Sequence, residues 1–345
     1  MMIWGLSGTR DNSFAAAAVG SAARRGRATE PRRRARLRRA LLLAIAGVCG
    51  AAPFCSAQAQ VDGRTHAQLA RKRYVSTATG KEREYLLYLP AGYETEKGKK
   101  WPIILFLHGG GERGDGLGDL EKTLKHGPIM EAWTKERDLP FVMIGPQLPD
   151  PGPGVPERPA AKKAPAAAPG RPPLSRQSGS DPPRWGDEGP PSGWWLYEKD
   201  LLGMVDDTLR NYRTDPDRVY VTGLSYGGFG TWYMAAAHPE RWAAVAPICG
   251  AGNPKLISHI AEAKLPIWIF QGGRDGVVRP EWTLASAAAL ESAGHPDVRF
   301  TVHEDMGHNV WLRVYEGWDL YNWFLSHRRQ RPSPAAAASG DGRQD

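Results

Sequence analysis

The 345-residue sequence predicts one doubly wound α/β domain, with a mostly parallel central sheet and helices on both faces. Three observations carry that expectation. Short continuous apolar runs at 102–108, 141–146, 243–248 and 266–270 suit strands buried on both sides of a parallel sheet. Helix-like stretches alternate with them, as crossover connections require. Between a strand-like run at 218–222 and a helix-like run at 230–237 stands Gly223-Leu224-Ser225-Tyr226-Gly227, a tight Gly-x-Ser-x-Gly turn that presents one hydroxyl at a strand end.

Ahead of the domain, residues 1–59 read as an N-terminal extension and export signal. Arg32 to Arg39 form a basic region, residues 40–48 an apolar one, and Ala57-Gln58-Ala59 a small-x-small cleavage site, so the mature chain is expected to begin near Gln60. The apolar stretch falls short of the roughly 18–20 residues that a membrane span needs. No stable span is therefore expected after cleavage, and the expected location is periplasmic or secreted. Of the chain's 45 Lys and Arg, ten lie in residues 1–59 against two carboxylates, which leaves 35 of each sign in residues 60–345. The basic character belongs to the leader, and a nucleic-acid partner has no support from charge. Cys49 and Cys55 precede the cleavage site and neither fits a lipoprotein pattern. Cys249 then remains alone as a small buried residue, so no disulfide framework is expected.

The ordered domain is expected over 60–328. Residues 85–90 read as a strand and 94–100 as a polar, Lys-rich linker. The apolar strand at 102–108 ends in Gly109-Gly110-Gly111, a helical stretch follows around 124–135, and 141–146 is the next strand. Residues 150–191 change character: 12 of these 42 are Pro, with too few large apolar side chains to offset the entropy of ordering, so they read as a disordered insertion. Helix 199–212 has Leu201, Val205, Leu209 and Tyr212 on one face, and the strand before Ser225 follows it. Strand 243–248, helix 255–264, strand 266–270, helix 281–293, strand 298–303 and a final helix over 311–327 complete the domain. Residues 329–345, Pro/Ala/Gly-rich from Arg331, read as a disordered tail.

A serine hydroxyl is a weak nucleophile at neutral pH. It needs a base, the base needs an orienting acid, and a developing oxyanion needs donors. In open α/β sheets such groups gather beyond the carboxyl ends of strands. Asp275 follows the strand ending at Phe270, and His308 follows the strand ending near His303, so Ser225, Asp275 and His308 are the candidate catalytic residues. Asp305 is a second carboxylate near His308, but it shares the histidine's own loop, whereas the acid is expected from a preceding strand end. His303, His295 and His259 match no catalytic position. The glycine run suits a loop that approaches a substrate closely, and Gly109 and Gly110 with the N–H of Tyr226 are the candidate oxyanion donors. Trp194, Trp195 and Trp311 are candidate substrate contacts, with core packing as the competing role for the first two. No His/Cys/Asp/Glu spacing suggests a metal site, and no cofactor is implied.

Residues 85–90, Leu105-Phe106-Leu107-His108-Gly109-Gly110-Gly111-Glu112-Arg113-Gly114 and the run from Asp215 through Trp232 resemble exported esterases related to polyhydroxybutyrate depolymerases and feruloyl or acetylxylan esterases, of the α/β-hydrolase fold. The resemblance covers roughly residues 70–328. The chain departs from that group in carrying Gln271 where His is frequent, Tyr226 where Met is frequent, and the Pro-rich insertion. The first two departures leave the backbone chemistry of the site untouched, and the insertion bears on pocket size. The resemblance implies ester cleavage by a Ser-His-Asp acyl-enzyme route on a small-molecule or polymeric ester, with no protein partner evident. Two other functions are consistent with the fold: a serine peptidase of prolyl-oligopeptidase type, and a non-catalytic carbohydrate-binding or scaffold module.

Overall fold

The computed structural model describes residues 66–150 and 193–329. The expectations for the leader, for all but the first residue of the insertion and for all but the first residue of the tail lie outside these residues. Within them the strands are β1 (Gln68–Val75), β2 (Glu82–Leu89), β3 (Trp101–Leu107), β4 (Val142–Gly145), β5 (Thr214–Leu224), β6 (Ala244–Ile248), β7 (Ile267–Gly272) and β8 (Val298–His303). They form one sheet in the order β1-β2-β4-β3-β5-β6-β7-β8. β2 is antiparallel to both of its neighbours, and the pairs from β4 to β8 are parallel.

The apolar runs are apolar because both faces of the central strands are covered. Along β3, Ile103, Leu105 and Leu107 enter one core while Ile104 and Phe106 enter the other, none more than 1% exposed. Burial of each such side chain contributes about 1.5–3 kcal/mol. The first core is closed by α1 (Glu198–Asn211), α2 (Tyr226–Ala237), α3 (Ile257–Glu262) and α4 (Pro280–Ser292), and the second by α5 (Trp311–Glu316) and α6 (Asp319–Leu325). Register aligns the strand ends: Leu224 pairs with Ile248, Ile248 with Phe270, and Gly272 with His303. The segments that follow β5, β6, β7 and β8 therefore leave the sheet at one edge.

Three elements differ from the sequence expectation. β1 was not anticipated because its Gln-Leu-Ala-Arg-Lys-Arg-Tyr-Val run is largely polar. It is an edge strand held by the ladder to β2 and by Arg71 and Arg73 against Glu84 at 3.5 and 3.3 Å. The helix expected at 124–135 is broken at Gly127, whose φ of 99° is left-handed and where a Cβ would lie in the Phe106 ring; Pro128 follows directly. What forms instead is a 3-10 turn (Leu120–Leu124) and a π-type turn (Met130–Thr134). The final helix is two short ones, because Gly317 takes an extended conformation between α5 and α6.

Candidate active site

Ser225 sits between β5 and α2 with φ 53° and ψ −115°, a conformation that costs a residue bearing a Cβ about 1–3 kcal/mol. Both sides of the residue are pinned. Its N–H donates to the Ile248 carbonyl at 2.9 Å and its carbonyl accepts from Phe229 N–H at 3.1 Å. The flanking glycines are required by close approach: a Cβ at Gly223 would stand 2.5 Å from the Leu107 carbonyl oxygen, and one at Gly227 would collide with the same oxygen. The end of β3 thus presses against the turn and leaves Ser225 facing the edge where the later loops emerge. Tyr226 opens α2, so its N–H has no intrahelical acceptor.

His308 bridges the other two candidates. Its Nε2 lies 3.0 Å from Ser225 Oγ and its Nδ1 lies 2.8 Å from Asp275 Oδ2. A carboxylate only accepts, so Nδ1 carries the proton and Nε2 presents its lone pair to the serine hydroxyl. Asp275 is 4% exposed, and its buried charge is met on all sides. Oδ1 accepts from the N–H groups of Val277 and Val278 at 2.8 and 2.9 Å, and Oδ2 also accepts from Gln271 Nε2 at 3.1 Å. Gln271 is itself oriented by Thr283, whose hydroxyl donates to Oε1 at 2.8 Å. The acid and base loops are joined by backbone bonds from Gly273 N–H to His303 and from Arg274 N–H to Met306. Asp305 does not compete for His308. It is held in a fork by Arg313 at 2.8 and 2.6 Å, which brings its pKa down to about 2.

Cys249 completes the underside. It is fully buried, and its thiol donates to the His308 carbonyl at 3.3 Å. Its sulfur and the ligand atoms of Asp275 and His308 lie within 4.8 Å of one another. That grouping does not suit a metal ion. Burial keeps the thiol protonated, with the nearby Asp275 carboxylate adding to the effect, and coordination would need the thiolate and would break the Asp275–His308 hydrogen bond.

The glycine loop is set from behind by His108. Burial pushes this imidazole down to about 3, so it is neutral. Nε2 accepts from Leu148 N–H at 2.9 Å, hence Nδ1 holds the proton and donates to the Gly109 carbonyl at 2.6 Å. Carbonyl and N–H point in opposite directions across a trans peptide, so fixing the Gly109 carbonyl turns the Gly110 N–H away from His108. A Cβ at Gly109 would stand 2.8 Å from Leu224 and 3.6 Å from Ser225 Cβ, and one at Gly110 would stand 2.8 Å from the Tyr226 ring. Glu112 is buried under the loop. Burial raises its carboxyl pKa, while Lys125 and backbone N–H groups, including that of Gly109, oppose the rise. The Gly109 N–H thus faces Glu112, whereas the Gly110 N–H is turned away from His108.

The three tryptophans part company. Trp194, a candidate substrate contact in the sequence, is 1% exposed, and its Nε1 donates to the His108 carbonyl at 3.2 Å, so it supports the glycine loop from within the core. Trp195 is partly exposed. Trp311 is partly exposed and stands edge-on to His308, with ring centroids 5.1 Å apart. Sequence reasoning gave no role to Gln271, Thr283, Glu112 or His126. For Gln271 a signal was present, since a polar amide at the end of an apolar strand needs a partner when buried.

This fold and this Ser225-His308-Asp275 geometry define an α/β-hydrolase with a serine-hydrolase triad. Over short segments its sequence is similar to a poly(3-hydroxyalkanoate) depolymerase, a feruloyl esterase and an acetylxylan esterase. The prolyl oligopeptidase family model matches residues 198–255. Poly(3-hydroxyalkanoate) depolymerase C of Paucimonas lemoignei is 55% identical over 47 residues, 14% of this chain and 11% of that protein. Acetylxylan esterase A of Emericella nidulans is 46% identical over 54 residues, 16% and 17% of the two chains. A crystal structure of a thermostable esterase superposes with a TM-score of 0.57 at 25% identity, covering 76% of this chain and 63% of that one. The chain thus spans less than two thirds of each of these relatives.

Proposed function

We propose that the protein cleaves carboxylic esters through an acyl-enzyme formed on Ser225. The observation that carries this reading is the placement of His308 between Ser225 Oγ and Asp275 Oδ2, at 3.0 and 2.8 Å. In the first step Ser225 Oγ bonds to the ester carbonyl carbon while His308 Nε2 takes the hydroxyl proton. In this reading the Gly110 and Tyr226 N–H groups receive the negative oxygen, supported by the neighbouring positions of the glycine loop and the start of α2. Collapse of the tetrahedral species breaks the bond to the alcohol, which leaves with the proton from His308. Water then repeats the sequence on the acyl-enzyme and restores Ser225. Asp275 holds the imidazole in the required tautomer and stabilises its cation throughout. The steps need no cofactor.

The esterase relatives support an ester over an amide, with a small or polymeric substrate reached beside Trp195 and Trp311. The leader in the sequence supports action outside the cytoplasm, in the periplasm or beyond. Among the described residues no helix is long and apolar enough to cross a membrane. A peptidase is the second reading, favoured by the prolyl oligopeptidase match over 198–255, which contains the nucleophile turn. A fluorophosphonate probe followed by a panel of acyl esters and peptide amides tests both. Labelling with ester turnover supports the proposal, labelling with amide turnover alone favours the peptidase, and failure to label returns the protein to a non-catalytic role.

A further inference from the structure

We propose that His126 and Trp311 form a subsite for a hydroxyl on the alcohol half of the substrate, a proposal that rests on the ester reading above. Two buried ring nitrogens, His126 Nδ1 and Trp311 Nε1, have no hydrogen-bond partner among the described residues. An orphaned buried donor or acceptor forfeits its hydration with nothing in return, so such groups are rarely left unpaired without a use. Most of the other unpaired atoms are Nε positions of arginines, and Trp101 Nε1 lies at the opposite end of β3 from the glycine loop. His126 and Trp311 differ in lying against each other, with ring centroids 5.6 Å apart, and in adjoining the triad through the edge-on contact of Trp311 with His308.

The chemistry of the pair selects the ligand group. An indole N–H only donates. Burial and the neighbouring Lys125 lower the His126 pKa, so its neutral ring offers at Nδ1 either one proton or one lone pair. His126 Nε2 stands 3.9 Å from Glu112, too far to be a hydrogen bond that would fix the tautomer. A carbonyl or ether oxygen satisfies the indole but pairs with only one tautomer of the imidazole. A hydroxyl accepts from Trp311 and either donates to or accepts from His126, so it satisfies both rings in either tautomer. Both nitrogens are closed to solvent, while the side chains that carry them remain partly exposed. The His126 side chain, 22% exposed, is the group free to turn outward as the hydroxyl enters. Position relative to the ester follows from His308, which must reach both the serine oxygen and the departing oxygen. A ring packed on that imidazole flanks the leaving alcohol.

The test compares 2-hydroxyethyl acetate with propyl acetate, which share the acyl group and differ by a hydroxyl in place of a methyl. Turnover is followed by proton release for the wild type, Trp311→Phe and His126→Phe, each normalised to the fluorophosphonate-labelled fraction so that misfolded protein does not count. The readout is the ratio of kcat/KM for the two esters, which cancels any shared loss from altered packing on His308. The expected result is a ratio favouring the hydroxylated ester in the wild type and a fall of about tenfold in either variant, the size of one to two hydrogen bonds. A ratio unchanged in variants that still hydrolyse propyl acetate overturns the subsite and leaves the ester reading intact. Absence of turnover of both esters by labelled wild type overturns the ester reading and the subsite with it.

Discussion

Gln271 Nε2 donates to the same Asp275 oxygen that accepts from His308 Nδ1, at 3.1 and 2.8 Å. A chain of hydrogen bonds thus runs from Thr283 through Gln271, Asp275 and His308 to Ser225. An amide in this place donates without titrating, so the support of the acid does not change with pH. In Gln271→Leu the Asp275 carboxylate loses one of its donors, and the Thr283 hydroxyl loses its shorter bond and keeps only the Gly250 carbonyl at 3.3 Å. The expected outcome is a fall in kcat of about tenfold and a stability loss of about 1–3 kcal/mol, read by ester turnover and urea unfolding.

Asp305 shares the loop of His308 and Asp275 lies 33 residues before it, yet only Asp275 is bonded to the imidazole. Asp275→Asn is expected to lower kcat by about 10⁴-fold, because an amide no longer enforces the tautomer. Asp305→Asn weakens an exposed fork with Arg313 and is expected to leave kcat within about twofold, the ordinary effect of a surface pair. A larger loss in Asp305→Asn than in Asp275→Asn reverses the assignment.

Gly110 lies against the Tyr226 ring, where an added Cβ would stand at 2.8 Å. Gly110→Ala is therefore expected to shift the loop and its N–H. Under the proposed mechanism this removes one oxyanion donor, and the expected outcome is a fall in kcat of about 10²–10³-fold with little change in KM, measured by steady-state ester kinetics.

His108 gives stability a pH dependence of predictable sign. Its folded pKa lies near 3, below the 6.5 of an ordinary histidine, because of burial. Below pH 6.5 the unfolded chain binds a proton that the folded protein refuses, so the contribution is full above pH 6.5 and is lost as pH falls toward 3. The slope is at most about 1.4 kcal/mol per pH unit. In His108→Asn the side-chain amide can still donate to Gly109 but does not titrate. Unfolding across this window is expected to show a shallower slope for the variant than for the wild type.

Much of this site was legible in the sequence because its strongest constraints are local. Gly223 and Gly227 flank a serine whose backbone is pressed by β3, and the order Ser225, Asp275, His308 follows the order of strand ends. What stayed hidden depends on contacts between distant segments. The clamp on the glycine loop needs Leu148, 40 residues beyond His108, and Trp194, 86 residues beyond it. Trp194 was ambiguous for that reason, since burial and substrate contact call for the same aromatic side chain. The sequence assigns Gln271 no effect on the backbone chemistry of the site, because its effect passes through a side-chain amide. β1 was missed because an edge strand held by arginines and glutamates lacks the apolar run that marks the central strands.

The most direct test is to mix the protein with p-nitrophenyl acetate, quench in acid within the first turnover, and map the acyl group by peptide mass spectrometry. The expected result is a burst of about one p-nitrophenol per active site, with the acetyl group on the peptide containing Ser225 and neither burst nor turnover in Ser225→Ala. Turnover by Ser225→Ala at the wild-type rate, or an acyl group on another residue of a fully active protein, contradicts the assignment of Ser225 as the nucleophile.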